Sequence, residues 1–333
     1  MYYGMLEQFL EDLTMKTKLI KRMVILSLSM LAIGAVGSIV TYPMAHKKVT
    51  LDLNKTVDAT SVKQVSVKGT SMDITLADSP DNKIHVSVNG ETQSADKFDI
   101  KTKQNGDTLE VTFDEPKLIE MNFVLFFNYN NRSATVSLPK SVKQATVKTN
   151  FGEIYTNNFV GESLELKTDA GDINLSGLKL TDLNAKTNAG SISLSQSAIT
   201  NTDLKASAGA LYVNNLVSSK TKLNTSAGNI DLNQVTGDLV ATSNAGEIDL
   251  TNKTIDQNID LQTNFGSIDV QSESKPTNLT VIAATDLGEM DIFDQNNREQ
   301  TFGAGKYKMN LKTNAGDIEV NHSAYENDDE DFD

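Results

Sequence analysis

The segment Thr168-Asp169-Ala170-Gly171-Asp172-Ile173 returns 19 residues later as Thr187-Asn188-Ala189-Gly190-Ser191-Ile192. Seven further copies, complete or drifted, keep the glycine and an apolar residue two positions after it. The nine glycines are Gly152, Gly171, Gly190, Gly209, Gly228, Gly246, Gly266, Gly288 and Gly316. Self-similarity at a period of about 20 residues is typical of repeat architectures, in which each unit is one supersecondary element.

Each repeat unit has the pattern of short strands. Residues 164–168 (Leu-Glu-Leu-Lys-Thr) alternate apolar and polar side chains, as a half-buried strand does. Gly171 interrupts the alternation, residues 173–175 (Ile-Asn-Leu) resume it, and Gly177 turns the chain again. No ten-residue stretch after Pro43 has a convincing helical period. The pattern therefore predicts two or three strands per unit, joined by tight corners.

Three apolar columns appear when successive units are superimposed. They are Leu166, Ala185, Leu204, Leu223, Ala241 and Leu261; Ile173, Ile192, Leu211, Ile230, Ile248 and Ile268; and Leu175, Leu194, Val213, Leu232, Leu250 and Val270. Inward columns that pack on the next unit predict an all-β fold, a short-coil β-solenoid of nine coils over residues 149–322. We expect each of the nine glycines at a corner that needs a positive φ or a close approach of the next coil. The residue two positions before each glycine is Asn, Asp or Ser. Such side chains suit a corner because they hydrogen-bond to nearby backbone and tolerate a left-handed conformation, and they could also form a ladder between coils.

Residues 49–148 predict a less regular β region that caps or begins the solenoid. Asn89-Gly90 and Asn105-Gly106 indicate hairpins. Residues 121–129 are the most aromatic stretch and predict either a buried cap strand or an exposed patch for a partner. Residues 323–333, with six acidic residues in the last eight, predict a disordered tail, with weak divalent-cation binding as the alternative.

Residues 23–42 form an uncharged apolar segment of the length that crosses a bilayer as a helix. The larger basic cluster precedes it, which predicts a cytoplasmic tail over residues 1–22 and an extracytoplasmic C-terminal domain at the cell membrane. A signal peptide cleaved after Ala35-Val36-Gly37 is the main alternative, and a buried soluble helix is a third. We hypothesise that translation starts at Met15; the alternative is a short amphipathic tail before it.

The charge divides at the same segment. The chain has 30 Lys and Arg against 44 Asp and Glu, a net charge of −14, of which residues 1–48 carry +3 and the rest −17. This acidic balance argues against nucleic-acid binding. The absence of Cys excludes disulfides, thiolate metal sites and a Cys nucleophile.

The sequence predicts no catalytic, cofactor or metal site. His46, His85 and His322 lack ligand-like spacing, and no Ser/His/Asp set or phosphate loop occurs. The candidate carboxylates are Asp172, Asp231, Asp249 and Asp269. Only the last three share an outward column. This column is explained better as a solvent-exposed face of the solenoid than as the active site of a glycan-cleaving β-helix enzyme. We therefore expect no enzyme.

The repeated unit, seen at residues 313–318 as Thr-Asn-Ala-Gly-Asp-Ile, and the lead-in Ala134-Thr135-Val136-Ser137-Leu138-Pro139 resemble the bacterial "putative adhesin" β-strand-repeat family of membrane-anchored envelope proteins. The resemblance covers about residues 50–322, implies an extracytoplasmic location, and carries no catalytic residues. It is a domain family of unknown function.

The predicted function is a membrane-anchored, extracytoplasmic, non-catalytic module for adhesin-like binding or scaffolding at the cell envelope. Its expected partners are the membrane and a cell-wall polymer. The alternative is an accessory component of envelope-stress sensing that acts through a membrane signalling protein. A carbohydrate-active β-helix enzyme is the least favoured reading. The ligand, the handedness of the coil and the oligomeric state do not follow from the sequence.

Overall fold

The computed structural model describes residues 21–39, 49–92, 98–114 and 132–322. Most of the predicted cytoplasmic tail, the aromatic stretch 121–129 and the acidic tail 323–333 lie outside the described residues. The chain divides into two compact units, Met1–Val49 and Thr50–Asp333.

The described residues of the first unit include one helix, α1, at Lys21–Ile39. It has 19 residues, a mean hydropathy of 1.8 and the length and composition of a membrane span. A signal sequence near an N-terminus has the same character. The hydroxyls of Ser27, Ser29 and Ser38 donate to backbone carbonyls three or four residues earlier, at 2.8–2.9 Å. These hydroxyls are therefore satisfied within the helix, as an apolar surrounding requires.

In the described residues of the second unit, 23 strands form a single sheet. The first strands are β1 (Val49–Asp58), β2 (Gln64–Lys68), β3 (Asp73–Asp78), β4 (Lys83–Thr92), β5 (Asp99–Asn105), β6 (Thr108–Asp114) and β7 (Arg132–Leu138). The middle strands are β8 (Gln144–Phe151), β9 (Ile154–Asn157), β10 (Ser163–Ala170), β11 (Ile173–Ser176), β12 (Lys179–Ala189), β13 (Ile192–Ala208), β14 (Leu211–Ala227), β15 (Ile230–Ala245), β16 (Ile248–Asn252), β17 (Ile259–Phe265) and β18 (Ile268–Ser272). The last strands are β19 (Leu279–Leu287), β20 (Met290–Ile292), β21 (Glu299–Thr301), β22 (Tyr307–Ala315) and β23 (Ile318–His322).

Each coil has two main faces separated by a repeat glycine. We call face A the strand residues that precede the glycine, such as Ser163–Ala170, with their parallel partners in other coils. Face B consists of the residues that follow it, such as Ile173–Ser176, with their partners. Between face B and the next face A runs a short third side, where Leu180 pairs with Ile199. The predicted all-β solenoid is confirmed.

The three predicted apolar columns are confirmed by the strand register. Ile173, Ile192 and Leu211 pair in succession on face B, and Leu166, Ala185 and Leu204 do so on face A. The later members continue these series, and all members are at most 3% exposed. Full burial of each Leu or Ile stabilises the coil by about 1.5–3 kcal/mol, so stacking provides most of the driving force.

A column of inward hydroxyls lies beside these apolar columns and donates hydrogen bonds to the carbonyls of the repeat glycines. Thr225 Oγ1 donates to the carbonyl of Gly209, in the preceding coil, at 2.9 Å. The same bond, at 2.9–3.0 Å, is made by Thr168, Thr187, Ser243, Thr263, Thr285 and Thr313. Each satisfies a glycine carbonyl at a buried or half-buried position, where an unpaired group would be costly. Ala206 occupies this column in the coil between Thr187 and Thr225 and has no hydroxyl.

The hydroxyl column predicts opposite effects for two substitutions. We expect Thr225→Val to lower the free energy of unfolding by about 1–3 kcal/mol, because the Gly209 carbonyl loses its side-chain donor. We expect Ala206→Thr to raise the free energy of unfolding by about 1 kcal/mol. The new hydroxyl would occupy the position that Thr187 and Thr225 hold in the two neighbouring coils and would donate to the carbonyl of Gly190 as they do to those of Gly171 and Gly209. Urea unfolding of both variants measures the difference. A destabilised Ala206→Thr would show that this coil has no room for the hydroxyl.

The last two coils are stacked in the reverse of their order along the chain. Strands β22 and β23 pair with β17 and β18 on one side and with β19 and β20 on the other. The final coil of the sequence is therefore inserted before the coil that precedes it. Strand β21 pairs antiparallel with β19, at the outer edge. The glycine intervals alone do not reveal this exchange.

Antiparallel strands also close the opposite end. Strands β6 and β7 stack on β2 and β3, which in turn stack on β8 and β9. Beyond them, β5 pairs antiparallel with β6, and β4 with β7. The antiparallel strands cover the outermost parallel strands, so the end of the parallel stack is not itself the open edge of the sheet.

Candidate binding faces of the solenoid

The nine repeat glycines lie at the corner between face A and face B. Their φ angles are 142–156°. A Cβ atom at any of them would stand 1.9–2.3 Å from a backbone carbonyl oxygen of the neighbouring coil. Both the backbone conformation and the contact exclude side chains. The geometry of these corners therefore accounts for glycine at each of the nine positions.

A second corner, after face B, was missed by the sequence reasoning except at Gly177. Its residues are Asn158, Gly177, Gln196, Asn215 and Gln234, each 19 residues from the next, with φ of 49–67°. Asn adopts this left-handed conformation readily, whereas Gln does so less often. The 19-residue spacing was the available signal, because the residue types vary.

Face B carries a ladder of carboxylates on its outward side. Asp231, Asp249 and Asp269 pair in register, which confirms the predicted outward column. The ladder continues through Glu319 to Asp291, which the sequence reasoning missed because the last two coils exchange places. Adjacent strands are about 4.8 Å apart, so five like charges repeat at that spacing. Asp172 lies elsewhere: its Oδ1 accepts a hydrogen bond from the Ser191 amide at 2.8 Å.

The crowding changes the acidity of the ladder. Partial burial, followed by the charge of Asp231, raises the pKa of Asp249 to about 6. Partial burial, followed by the charge of Glu319, also raises the pKa of Asp269. Across residues 21–39, 49–92, 98–114 and 132–322, no three His, Asp or Glu form a group that could hold a metal ion. The carboxylates of the ladder therefore repel one another, and the charge of the ladder changes with pH in the mildly acidic range.

This ladder predicts how stability depends on pH. A carboxyl whose pKa is raised in the folded state binds its proton more tightly when folded than when unfolded. The bound proton of Asp249 therefore stabilises the folded state fully below the pKa of the unfolded chain, about 4. This stabilisation is lost as pH rises towards the folded-state pKa of about 6. We expect Asp249→Asn to reduce this decline and to raise the free energy of unfolding at pH 7 by less than about 1 kcal/mol, because half-exposed charges are screened. Thermal unfolding of the wild type and of Asp249→Asn between pH 4 and pH 7 measures both effects. An identical dependence of stability on pH in the two proteins would contradict the prediction.

A hydrogen-bonded chain of Thr56, His85 and Asp81 lies near the closed end of the solenoid. Thr56 Oγ1 and His85 Nδ1 are 3.2 Å apart, and His85 Nε2 and Asp81 Oδ1 are 2.8 Å apart. Asp81 also accepts the Lys83 amide, which makes it part of a turn, and its hydrogen bond with His85 lowers its pKa. His85 and Asp81 are exposed by 36% and 48%. This arrangement fits a turn on the surface, because a catalytic triad works in a site shielded from water.

Face A carries a groove between two outward rows of side chains. One row contains Asn224, Thr242, Gln262 and Lys312; the other contains Ser226, Asn244, Asn264 and Asn314. The inward threonines and Ser243 form its floor, and its volume is about 220 Å³. We call this cavity the amide groove. Its lining has no carboxylate, in a domain whose net charge is strongly negative.

A lysine ladder extends the first row towards the end of the solenoid that contains β2 and β6. It consists of Lys68, Lys148, Lys167, Lys186 and Lys205 in successive register. Lys148 pairs with Glu165 at 2.8 Å, and Lys205 pairs with Asp203 at 2.9 Å. Carboxylates on the same face therefore neutralise part of this ladder, which makes it a mixed-charge surface.

Two exposed phenylalanines stand in a row of small residues beside the corner glycines. Ala170, Ala189, Ala208, Ala227 and Ala245 link Phe151 to Phe265 through the strand register. Phe265 is 65% exposed and Phe151 is 45% exposed. Phe265 follows Asn264 of the amide groove, and its register neighbours are Ala245 and Ala315. Its ring therefore has only small side chains beside it in this row.

Comparison with known proteins finds one matching family and several similar solved structures. The model of the Toastrack DUF4097 family matches residues 62–321. A "putative adhesin" of Parabacteroides distasonis is 14% identical over 82% of this chain and 97% of that chain, with a TM-score of 0.46. A "putative adhesin" of Parabacteroides merdae is 12% identical over 84% and 97%, with a TM-score of 0.43. A "putative lipid binding protein" of P. distasonis is 14% identical over 82% and 97%, with a TM-score of 0.43. Among curated proteins, none matches.

Proposed function

The chain belongs to the Toastrack DUF4097 family, and from this premise we propose that it is a membrane-anchored, extracytoplasmic binding module without catalytic activity. One observation carries the proposal. A stack of coils, held together by backbone hydrogen bonds at the glycine corners and by side-chain hydrogen bonds at most of them, presents uninterrupted outward rows of polar side chains. Repeat proteins use such extended surfaces to bind partners.

The apolar helix supports the anchoring. α1 is long enough to cross a bilayer, and Lys21 and Arg22 lie at its start, after Lys16 and Lys18 in the sequence. Loops rich in Lys and Arg stay in the cytoplasm. The basic end of α1 is then inside, and the strongly acidic solenoid that follows its other end lies outside.

The surface chemistry supports binding without catalysis. The carboxylate ladder has no basic residue within its row, and Asp249 and Asp269 are crowded by other acids. The Thr56–His85–Asp81 chain is exposed to water. The proposed partner is a polymer of the cell wall, because an extended solenoid surface suits a ligand that is itself extended.

Co-sedimentation tests the proposal. The full chain, purified in detergent micelles, is mixed with insoluble cell-wall preparations and centrifuged. We expect saturable co-sedimentation that unlabelled protein competes away. A soluble acidic protein of similar size is the control for trapping and for charge. Co-sedimentation no greater than that of the control would refute a wall-binding module.

A further inference from the structure

We propose that the amide groove binds a linear, neutral glycan, with Phe265 as the stacking platform at its edge. This inference rests on the proposed binding function and names the ligand class and the residues. The groove crosses four successive coils, in which β14, β15, β17 and β22 each supply one residue to either wall. Three strand steps of about 4.8 Å give a length of about 14 Å.

The chemistry of the walls matches sugar hydroxyls. Asn, Gln, Ser and Thr side chains both donate and accept hydrogen bonds, as each hydroxyl of a sugar does. Seven of the eight wall residues are of these types, and Lys312 is the exception. A polyanion or a polycation would lack counter-charges here, because the walls contain one charged residue.

The wall groups are partly preorganised and partly free to bind. Asn264 Nδ2 donates to Asn244 Oδ1 at 2.6 Å, and Asn314 Nδ2 donates to Asn264 Oδ1 at 3.1 Å. This ladder fixes the three amides and leaves the second donor of each available. A rigid array of donors and acceptors loses little conformational entropy on binding, which favours affinity.

The repeat distance and Phe265 favour a glycan over a peptide. Each coil offers the same pair of positions at the next step, which suits a polymer with a repeat of similar length, such as an extended chain of hexoses. The exposed ring of Phe265 offers a flat apolar surface on which the aliphatic face of a sugar ring can pack. The lining has no apolar side chain that would form a pocket for a peptide residue.

Binding assays on the full chain in detergent micelles test the site. The probes are cellohexaose and chitohexaose, titrated by calorimetry, and the variant is Phe265→Ala. Alanine occupies the Phe265 position in most coils, so Phe265→Ala keeps the fold. Phe151→Ala, at the same position in another coil and outside the groove, is the matched control. We expect binding to at least one probe, weakened about tenfold by Phe265→Ala and unchanged by Phe151→Ala.

Other outcomes overturn the inference. Binding of neither hexasaccharide, or equal loss in Phe265→Ala and Phe151→Ala, refutes the glycan site. Capture of an extended peptide from a synthetic library, lost in Phe265→Ala, would assign the groove to peptides instead. If cell-wall co-sedimentation persists undiminished in Phe265→Ala, the proposed function stands and only this site falls.

Discussion

Gly209→Ala is expected to cause a large loss of stability in the central coils. The added Cβ would lie 1.9 Å from the carbonyl oxygen of Gly190, and the φ of +149° belongs to a region that only glycine occupies readily. The strands on both sides are fixed in register to two neighbouring coils, so the backbone cannot relax. Strain of roughly 1–3 kcal/mol, added to the clash, gives an expected loss of about 4 kcal/mol or more in the free energy of unfolding. Urea unfolding followed by circular dichroism measures this loss.

Gly106→Ala is the matched control for that prediction. Gly106 also has a positive φ, +64°, but a Cβ there would meet nothing within 4 Å. We expect a loss of only about 1–2 kcal/mol, the ordinary penalty of a left-handed residue. Equal losses in the two variants would show that close approach between coils does not govern the corners.

Deletion of residues 307–333 removes one coil, and we expect it also to unfold the coil that remains beyond it. The deleted strands β22 and β23 lie between β17–β18 and β19–β20, so the coil at Leu279–Ile292 loses its only parallel neighbour. Buried side chains of the coil that remains, including Leu279, Val281 and Ile292, become exposed. The lost burial is on the order of 10 kcal/mol. Hydrogen exchange, resolved by peptide, measures the effect.

The control for this deletion removes residues 323–333 alone and keeps both coils. We expect the amides of residues 279–292 to exchange like those of an unfolded chain after the longer deletion and to stay protected after the shorter one. Continued protection of residues 279–292 after the longer deletion would mean that the coils stack in the order of the chain.

The repeat predicted the solenoid because local and long-range requirements coincide in each unit. The residues at Ile173 and Leu175 are inward by alternation, and the same alternation 19 residues later places Ile192 and Leu194 on top of them. Periodicity therefore specifies both the strands and their register. It does not specify which coil neighbours which, so the exchange of the last two coils stayed hidden. That order depends on how the segment between Ile292 and Tyr307 folds back.

The candidate site was less accessible to sequence reasoning than the fold. The alternation that identified buried residues also identified outward ones, and the Asp231, Asp249 and Asp269 column was predicted in this way. One wall of the amide groove belongs to the Asn, Asp or Ser column that sequence reasoning assigned to the corners or to a ladder between coils, and Asn244, Asn264 and Asn314 do form such a ladder. The groove as a binding site was missed. Outward residues lack the constraint of packing, so nothing in the periodicity distinguishes a binding row from a solvated one. Gln196 and Gln234 were missed because a corner of positive φ does not require glycine.

The central claim, that the solenoid acts outside the cytoplasmic membrane while anchored to it, is tested by labelling cysteines in intact cells. The chain has no cysteine, so single substitutions report on one position each. Ser219→Cys lies on the exposed surface of the solenoid, and Thr17→Cys lies in the basic N-terminal segment. We predict that a membrane-impermeant maleimide labels Ser219→Cys in intact cells, within protein recovered from the membrane fraction, and labels Thr17→Cys only after lysis. Labelling of Ser219→Cys only after lysis would contradict the account.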